Sequence, residues 1–237
     1  LNKNRGGKEM KISLVTHALT IRTSIIHAIE GARFAMKSNE MYGDSYYSTS
    51  FVNDYIGKKD MQLALGLSGN TPACGHDKFL QSIPLLVDIT MSRSMWQEFD
   101  TYRIGVSKQS ESTMHTITKD NFSFEDFELD ENLVASGYVV VQGLAMVDYF
   151  LELKKNIDRD YEENVINETV YRESLKKILP ECFLQKRRVS LNYAVLKTMY
   201  HQRKNHKNKE WIRFLDYMKK ETPHSELWVE KQKEEVG

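Results

Sequence analysis

Cysteine is scarce in this sequence. Cys74 and Cys182 are the two among 237 residues. They have no metal-like spacing and no companions with which to build a disulfide framework. That usage fits a reducing compartment, with both thiols expected as small core residues. An excess of charge of either sign is also missing. The 33 Lys and Arg offset 33 Asp and Glu, so no global field draws the chain to nucleic acid or a membrane surface, and an anionic ligand has to be held by a local cluster. Long apolar runs are missing too. The longest, residues 138–153, is interrupted by Gln142, Asp148 and Glu152 and is too short and too polar to span a bilayer. Residues 1–11 are polar and contain glycine, unlike an apolar signal region. These absences lead to the expectation of a soluble, cytoplasmic protein with neither nucleic acid nor membrane as partner. There is also no Gly-rich phosphate loop, no nucleophile elbow, no internal repeat and no low-complexity tract. His201 and His206 are five residues apart, which does not place them on one helical face for a shared metal, so no metal site is expected.

What is present suffices for a core: 41% of the residues are apolar and 11% aromatic, enough to fold without metals or disulfides. A single domain over 1–237 is expected, with 1–10 as a polar leader. Residues 11–16 alternate like a short opening strand. Residues 23–36 carry Ile25, Ile26, Ile29, Ala32 and Ala35 at helical spacing, with Thr23 or Ser24 as N-cap. A long loop over 39–53 follows, then a helix over 58–67 closed by Ser68-Gly69-Asn70. Residues 82–91 form the best strand, with Ile83, Leu85, Val87, Ile89 and Met91 on one face and Pro84 near its start. A helix over 93–102 carries Met95, Trp96 and Phe99. Residues 105–112 read equally as loop or strand edge. Phe122, Phe124 and Phe127 anchor a linker. Helices are expected over 138–155 and over 165–179, the second stopping before Pro180. An amphipathic segment over 189–203 turns Val195, Leu196, Met199 and Tyr200 inward, and a helix over 210–219 closes the fold. One strand-bearing half feeding a helical half gives an α+β fold, a short mixed or antiparallel sheet packed with long helices, rather than a doubly wound sheet.

Three polar constellations stand out. Thr71-Pro72-Ala73-Cys74-Gly75-His76 is a turn with free backbone donors, suited to lying over a ligand or simply to linking helix and strand. The segment from Arg93 to His115 carries Gln97 on a helix with Arg103 at its end, then Gln109, Ser110, Ser112 and Thr113. A guanidinium fork with hydroxyls and amides is what phosphate recognition needs, although solvated loops share that composition. Lys186-Arg187-Arg188 precedes Asn192 and, eleven residues later, Arg203, with His206 beyond. Read as the approach to a helix, the triplet brings positive charge to an anion-favouring N-terminus, although most basic triplets are merely hydrated.

In this order the segments resemble the flavin-dependent thymidylate synthases (ThyX). In that family a Thr-Pro turn and a His precede a strand, and a helix ends in Arg-His-Arg before a serine-bearing nucleotide loop. A later Leu-Pro leads to a helix with Asn and, further on, Arg, His and Trp. Here the matching residues are Thr71-Pro72 with His76, Tyr102-Arg103 with Ser110, and Leu179-Pro180 with Asn192, Arg203, His206 and Trp211. The stretches WQEFDTYRIGVSKQSESTMH and RRVSLNYAVLKTMYHQRKNHKNKEW resemble a divergent bacterial and phage branch. The likeness runs in segments over residues 60–220.

The resemblance implies a ThyX-like fold and a homotetramer with FAD between subunits. Methylenetetrahydrofolate would supply the one-carbon unit to the uracil of dUMP, and flavin reduced by NADPH would supply the hydride. Arg103 would contact the flavin or its phosphates, with Thr71, His76, Tyr102, Asn192, Arg203 and His206 around it. Gln97, Ser110 and Ser112, with Lys186 or Arg187, would hold the nucleotide phosphate. No protein nucleophile is implied. The sequence departs from the family pattern at Thr101-Tyr102-Arg103, which stands for Arg-His-Arg. It departs again at Ser112-Thr113, where the family has an arginine. Losing a bidentate phosphate fork costs on the order of 2 kcal/mol unless Lys186 or Arg187 compensates. The alternatives are a non-catalytic nucleotide-binding relative and an oligomeric structural protein.

Overall fold

The computed structural model describes residues 10–36, 43–47, 55–118, 122–128 and 137–229, with the side chains of 114 and 137–144 left aside. The expected leader and most of the loop expected over 39–53 lie outside the described residues.

Alternation of apolar residues decides the sheet. β1 (Lys11–Leu14), β2 (Pro84–Ser92), β3 (Ser107–Ser110) and β4 (Leu184–Asn192) form one sheet in the order β1-β2-β4-β3. Ile83, Leu85, Val87, Ile89 and Met91 are fully buried, every second residue on one face. Val189 and Leu191 do the same in β4. β2 and β4 run antiparallel. Arg93 donates its backbone N–H to Phe183 O at 3.0 Å, and Tyr193 donates to Ile83 O at 3.2 Å. Both strands run directly into helices through a cap on their last residue. Ser92 Oγ accepts from the Met95 N–H at 3.2 Å and opens a short helix, Arg93–Phe99. Asn192 Oδ1 accepts from the Val195 N–H at 3.0 Å and opens the helix Tyr193–Arg203.

The chain forms two compact units. One comprises Leu1–Lys11, Ile89–Thr101 and Gln109–Arg187, the other Ile12–Asp88, Tyr102–Lys108 and Arg188–Gly237, so β2 and β4 contribute residues to both. The second unit opens with α1 (Ala18–Arg33) and α2 (Lys58–Ser68). In the first unit α3 (Arg93–Phe99) is followed by α4 (Thr113–Thr116), α5 (Gly137–Glu162) and α6 (Glu168–Ile178). Val147 and Phe150 of α5 and Tyr171 and Leu175 of α6 pack on Ile117, Phe127, Leu179 and Phe183. Phe127 meets Phe150 and Phe183 edge to face at 5.6 and 5.8 Å. Phe122 packs against the same cluster, so the phenylalanines expected to anchor a linker belong to a core. Lys154 Nζ donates to Asp158 at 2.6 Å, and the other oxygen of Asp158 takes the Tyr171 hydroxyl at 2.8 Å.

In the second unit β4 leads into α7 (Tyr193–Arg203), and α8 (Lys209–Glu221) follows. α1 buries Ile21, Ile25, Ile26 and Ile29, and α8 buries Trp211, Phe214, Leu215 and Met218, the spacing of one helical face. Arg33 and Asp60 are both buried, and Arg33 Nε donates to Asp60 Oδ1 at 2.7 Å. Asp60 Oδ2 takes the Ser45 N–H at 2.9 Å. Gly57 stands at the N-cap of α2 without a side chain, and Asp44 does the capping from a distance. Its two oxygens accept the Lys59 and Asp60 N–H groups, each at 3.0 Å. Those donors, Lys59 first, hold the Asp44 carboxyl below the usual carboxylate range.

Several expected boundaries move. α1 begins at Ala18 under the cap of His17, whose Nδ1 takes the Leu19 N–H at 3.3 Å. Thr23 and Ser24 are not caps. Their hydroxyls bond back to Leu19 O and Thr20 O inside the helix. α3 stops at Phe99, and α5 runs past residue 155 to Glu162. α6 begins at Glu168 under Asn167. Within residues 105–112, Ser107–Ser110 form an edge strand, β3. The largest correction is β4: residues 184–192 are a strand, not the approach to a helix that starts at 189. Cys74 is exposed rather than in a core. Cys182 is half-buried, and burial pushes its thiol up to about 11. Among the described residues no helix is long and apolar enough to cross a membrane. The α+β class stands.

Arg33→Ala should lower stability by about 3–5 kcal/mol, because it strands the buried Asp60 carboxylate, and urea unfolding measures this directly. Asp44→Ala should lower the melting temperature at neutral pH. A carboxyl depressed in the folded state stabilises above its unfolded pKa and stops doing so as pH falls through the folded value. The gap between variant and parent should therefore close in acid, which thermal melts across a pH series will show.

Candidate functional site

After α3 the chain turns through Tyr102, Arg103, Ile104 and Gly105. Gly105 has a φ of 71°. A Cβ there would lie 3.0 Å from Val195 Cγ2 and 3.4 Å from Asn192 Nδ2. Glycine thus lets this turn close on the start of α7. The turn delivers Tyr102 to the far end of the same helix, where its hydroxyl donates to Gln202 Oε1 at 2.8 Å and accepts from Arg203 Nε at 3.1 Å.

Arg203 is the hub. Its guanidinium lies 5.0 Å from the ring centre of Trp211 and 5.9 Å from that of Tyr102. The two rings meet edge to face at 5.6 Å. Its Nη1 lies 2.8 Å from His206 Nε2. Tyr102, Arg203 and His206 are all half-buried. Each cation–ring contact is worth about 0.5–1 kcal/mol, more where water is excluded. The result is a positive charge beside two aromatic rings, an environment suited to a phosphate or a planar heterocycle.

The turn after α2 lies in the same unit. Ala73 and Gly75 both have left-handed backbone, with φ of 63° and 92°. Thr71 and His76 are exposed. The carboxylate of buried Asp77 closes the turn, with Oδ2 accepting the Ala73 N–H at 3.2 Å and Lys197 Nζ at 2.8 Å. Thr71 borders a cavity of about 960 Å³ between the end of α2, α7, α8 and Trp228, into which Tyr200, Lys204, Asp216 and Lys219 also face. Its lining mixes cations and carboxylates.

In the first unit Arg187 lies 4.3 Å from the ring centre of buried Trp96. Its Nη1 reaches both Asp100 oxygens at 3.1 Å, and Nε and Nη2 reach Gln185 Oε1 at 3.1 and 2.8 Å. Gln185 Nε2 in turn donates to Thr113 Oγ1 at 2.8 Å. Trp96 Nε1 donates to the Gln185 carbonyl at 2.8 Å. Arg187 is therefore committed internally. Exposed Gln97 donates to Glu181 at 3.0 Å. Ser110 ends β3, Ser112 is the N-cap of α4, and Lys186 is exposed on β4.

The residues expected around the flavin, Thr71, His76, Tyr102, Arg103, Asn192, Arg203 and His206, all fall in the second unit. Those expected at the nucleotide phosphate, Gln97, Ser110, Ser112, Lys186 and Arg187, all fall in the first. Tyr102, Arg203 and His206 come into contact. Arg103 is exposed beside them in sequence. One expectation changes. The basic triplet does not charge a helix N-terminus, because it lies along β4 with Arg188 forked onto Asp88 at 2.6 and 2.9 Å. Asn192 and Arg203 stand at the two ends of α7, about 16 Å apart along its axis at 1.5 Å per residue, and Asn192 serves as the cap.

Sequence reading missed Gln202, Asp77, Lys197, Asp100 and Gln185. Asp77 and Asp100 each stand next to a motif it singled out, which was the available signal, but their partners lie 120 and 87 residues away. Among the described residues no group of His, Cys, Asp and Glu gathers as metal ligands would.

The model of the family described as thymidylate synthase complementing protein matches residues 30–223. Among solved structures the chain is similar to Thymidylate Synthase X (ThyX) from Helicobacter pylori with FAD and dUMP, at 21% identity and a TM-score of 0.64, over 93% of this chain and 97% of that one. A second structure, flavin dependent thymidylate synthase ThyX from Helicobacter pylori complexed with FAD and dUMP, aligns at 20% identity and a TM-score of 0.63, over 92% and 97%. No curated protein matches. With the family model covering most of its length and the α+β fold shared with ThyX structures, the chain belongs to the thymidylate synthase complementing protein family.

Proposed function

We propose that this chain is an FAD-dependent thymidylate synthase, acting on dUMP or a related pyrimidine deoxynucleotide. One observation carries the reading at the level of residues. Tyr102 and Arg203 come from segments 101 residues apart, each assigned to flavin contact by the family resemblance, and they meet in one cluster with His206 and Trp211. Family membership and a fold shared with proteins solved with FAD and dUMP support the same reading.

The cluster fits such a cofactor. Arg203, positioned by the Trp211 and Tyr102 rings and by the Tyr102 hydroxyl, would face an anionic or heterocyclic part of the flavin, with Arg103, Thr71 and His76 completing the setting. Tyr102 takes the middle place of the family's Arg-His-Arg, and its hydroxyl orients the guanidinium where the family has an imidazole. Asn192 acts through α7, by fixing the helix start against Gly105. Bound flavin, reduced by NADPH, would supply the hydride, and methylenetetrahydrofolate the carbon. The protein's share is to bind, orient and exclude water. Cys182, raised to about 11 by burial, stays a thiol near neutral pH and offers no thiolate nucleophile.

On the nucleotide side, Ser110, Ser112, Gln97 and Lys186 would meet the phosphate. Arg187, tied to Asp100 and Gln185, would steady the strand that carries Lys186. A homotetramer in the cytoplasm completes the proposal.

The purified protein should carry the absorbance bands of bound flavin and should support growth of a thymidine-requiring strain. A folded, colourless protein that does not bind added FAD would overturn the reading; if it bound dUMP alone, it would be a nucleotide binder. Arg203→Ala should weaken FAD binding about 10- to 100-fold, the loss of a charged hydrogen bond and ring contacts, as read by flavin fluorescence titration. Arg103→Ala, at an exposed position, should weaken binding with no change in melting temperature.

A further inference from the structure

The turn that presents Thr71 and His76 is held from outside itself. Ala73 has a φ of 63°, a region that a residue with a Cβ occupies at a cost and keeps only where its surroundings enforce it. The enforcing group is Asp77. It stands at the N-cap of the 3₁₀ turn Lys78–Ser82, yet its side chain makes no capping bond there. It turns back instead, and Oδ2 takes the Ala73 N–H at 3.2 Å. The same oxygen takes Lys197 Nζ at 2.8 Å, with the two side chains 5% and 3% exposed. In so dry a setting neither charge is tolerated without the other. Lys197 lies in the middle of α7 and borders the same cavity as Thr71.

We propose that Lys197 is a positioning residue: its buried ion pair with Asp77 fixes the left-handed turn at Ala73, and so sets the affinity of the ligand site that Thr71 and His76 border. The proposal rests on the reading of that turn as part of the flavin and nucleotide site. A pair that merely stabilised the fold would change the melting temperature without changing the affinity of the folded molecules. A pair that shapes the turn changes affinity in protein that is fully folded.

The test uses the full chain with Lys197→Met/Asp77→Leu, which removes both charges and leaves neither stranded, and with Lys197→Gln as a milder variant. Three quantities are read: amide hydrogen exchange of residues 73–77, FAD and dUMP dissociation constants, and the melting temperature. The double variant should lose exchange protection at Ala73 and bind at least tenfold more weakly, and Lys197→Gln should fall between it and the parent. Adding Ala73→Gly to the double variant should recover part of the affinity, because glycine holds positive φ without an enforcing partner. Either variant, folded and binding within twofold of the parent, would overturn the proposal, as would unchanged protection at Ala73. If the parent binds neither FAD nor dUMP, the functional reading fails by itself, and exchange at Ala73 still decides whether the pair holds the turn.

Discussion

The antiparallel pairing of β2 with β4 is the constraint from which the other parts take their positions. Its register is set by five fully buried side chains, Ile83 to Met91 on alternate residues, and by Val189 and Leu191 on the other strand. A slip of one residue would turn that whole row toward water. Fully burying each such side chain is worth about 1.5–3 kcal/mol, so the register has no near competitor. It places Arg188 beside Asp88, brings Phe183 to the start of α3, and brings Ile83 to the start of α7. Ser92 and Asn192 then convert the two strand ends into helix starts. The segment from Arg93 onward and the helix that ends in Arg203 follow directly from these two junctions.

A chain with no net charge uses its charges in pairs. Arg33 with Asp60 and Lys197 with Asp77 are buried, and Arg187 with Asp100 is half-buried. Such pairs add little net stability, because desolvation offsets the attraction, but removing one partner costs several kcal/mol. Their effect is to fix geometry. Arg33 ties the end of α1 to the start of α2, and Lys197 ties α7 to the turn after α2. Arg187 ties β4 to the residue that follows α3. The two arginines set on aromatic rings differ in their partners. Arg187 reaches Asp100, Gln185 and the face of Trp96 in its own unit, and Arg203 reaches Tyr102, Trp211 and His206 at the end of α7.

Much of this could be read from the residues. The alternation in 82–91, the Gly69 stop and the apolar face of 210–219 are local signals, and each produced the element expected of it. The reading faltered where two periodicities abut. Val189 and Leu191 alternate as in a strand, while Val195, Leu196 and Met199 step as in a helix. With no glycine or proline between them, the join at Asn192 is invisible until the strand finds its neighbour. The Thr23 and Ser24 hydroxyls misled for a similar reason: cap residues look the same in sequence whether they cap or bond back within a helix.

By itself, the sequence determined the α+β class, the buried rows of β2 and α8, and the order in which Arg103, Arg203 and His206 follow one family pattern, because each depends on neighbours in sequence or on motif order. Tertiary structure alone decided that Arg187 belongs to Asp100, that Lys197 belongs to Asp77, and that Tyr102 reaches Arg203. Those pairings span 87, 120 and 101 residues. A charge or hydroxyl carries no mark of its partner until the sheet register and the helix ends bring the two within hydrogen-bonding reach.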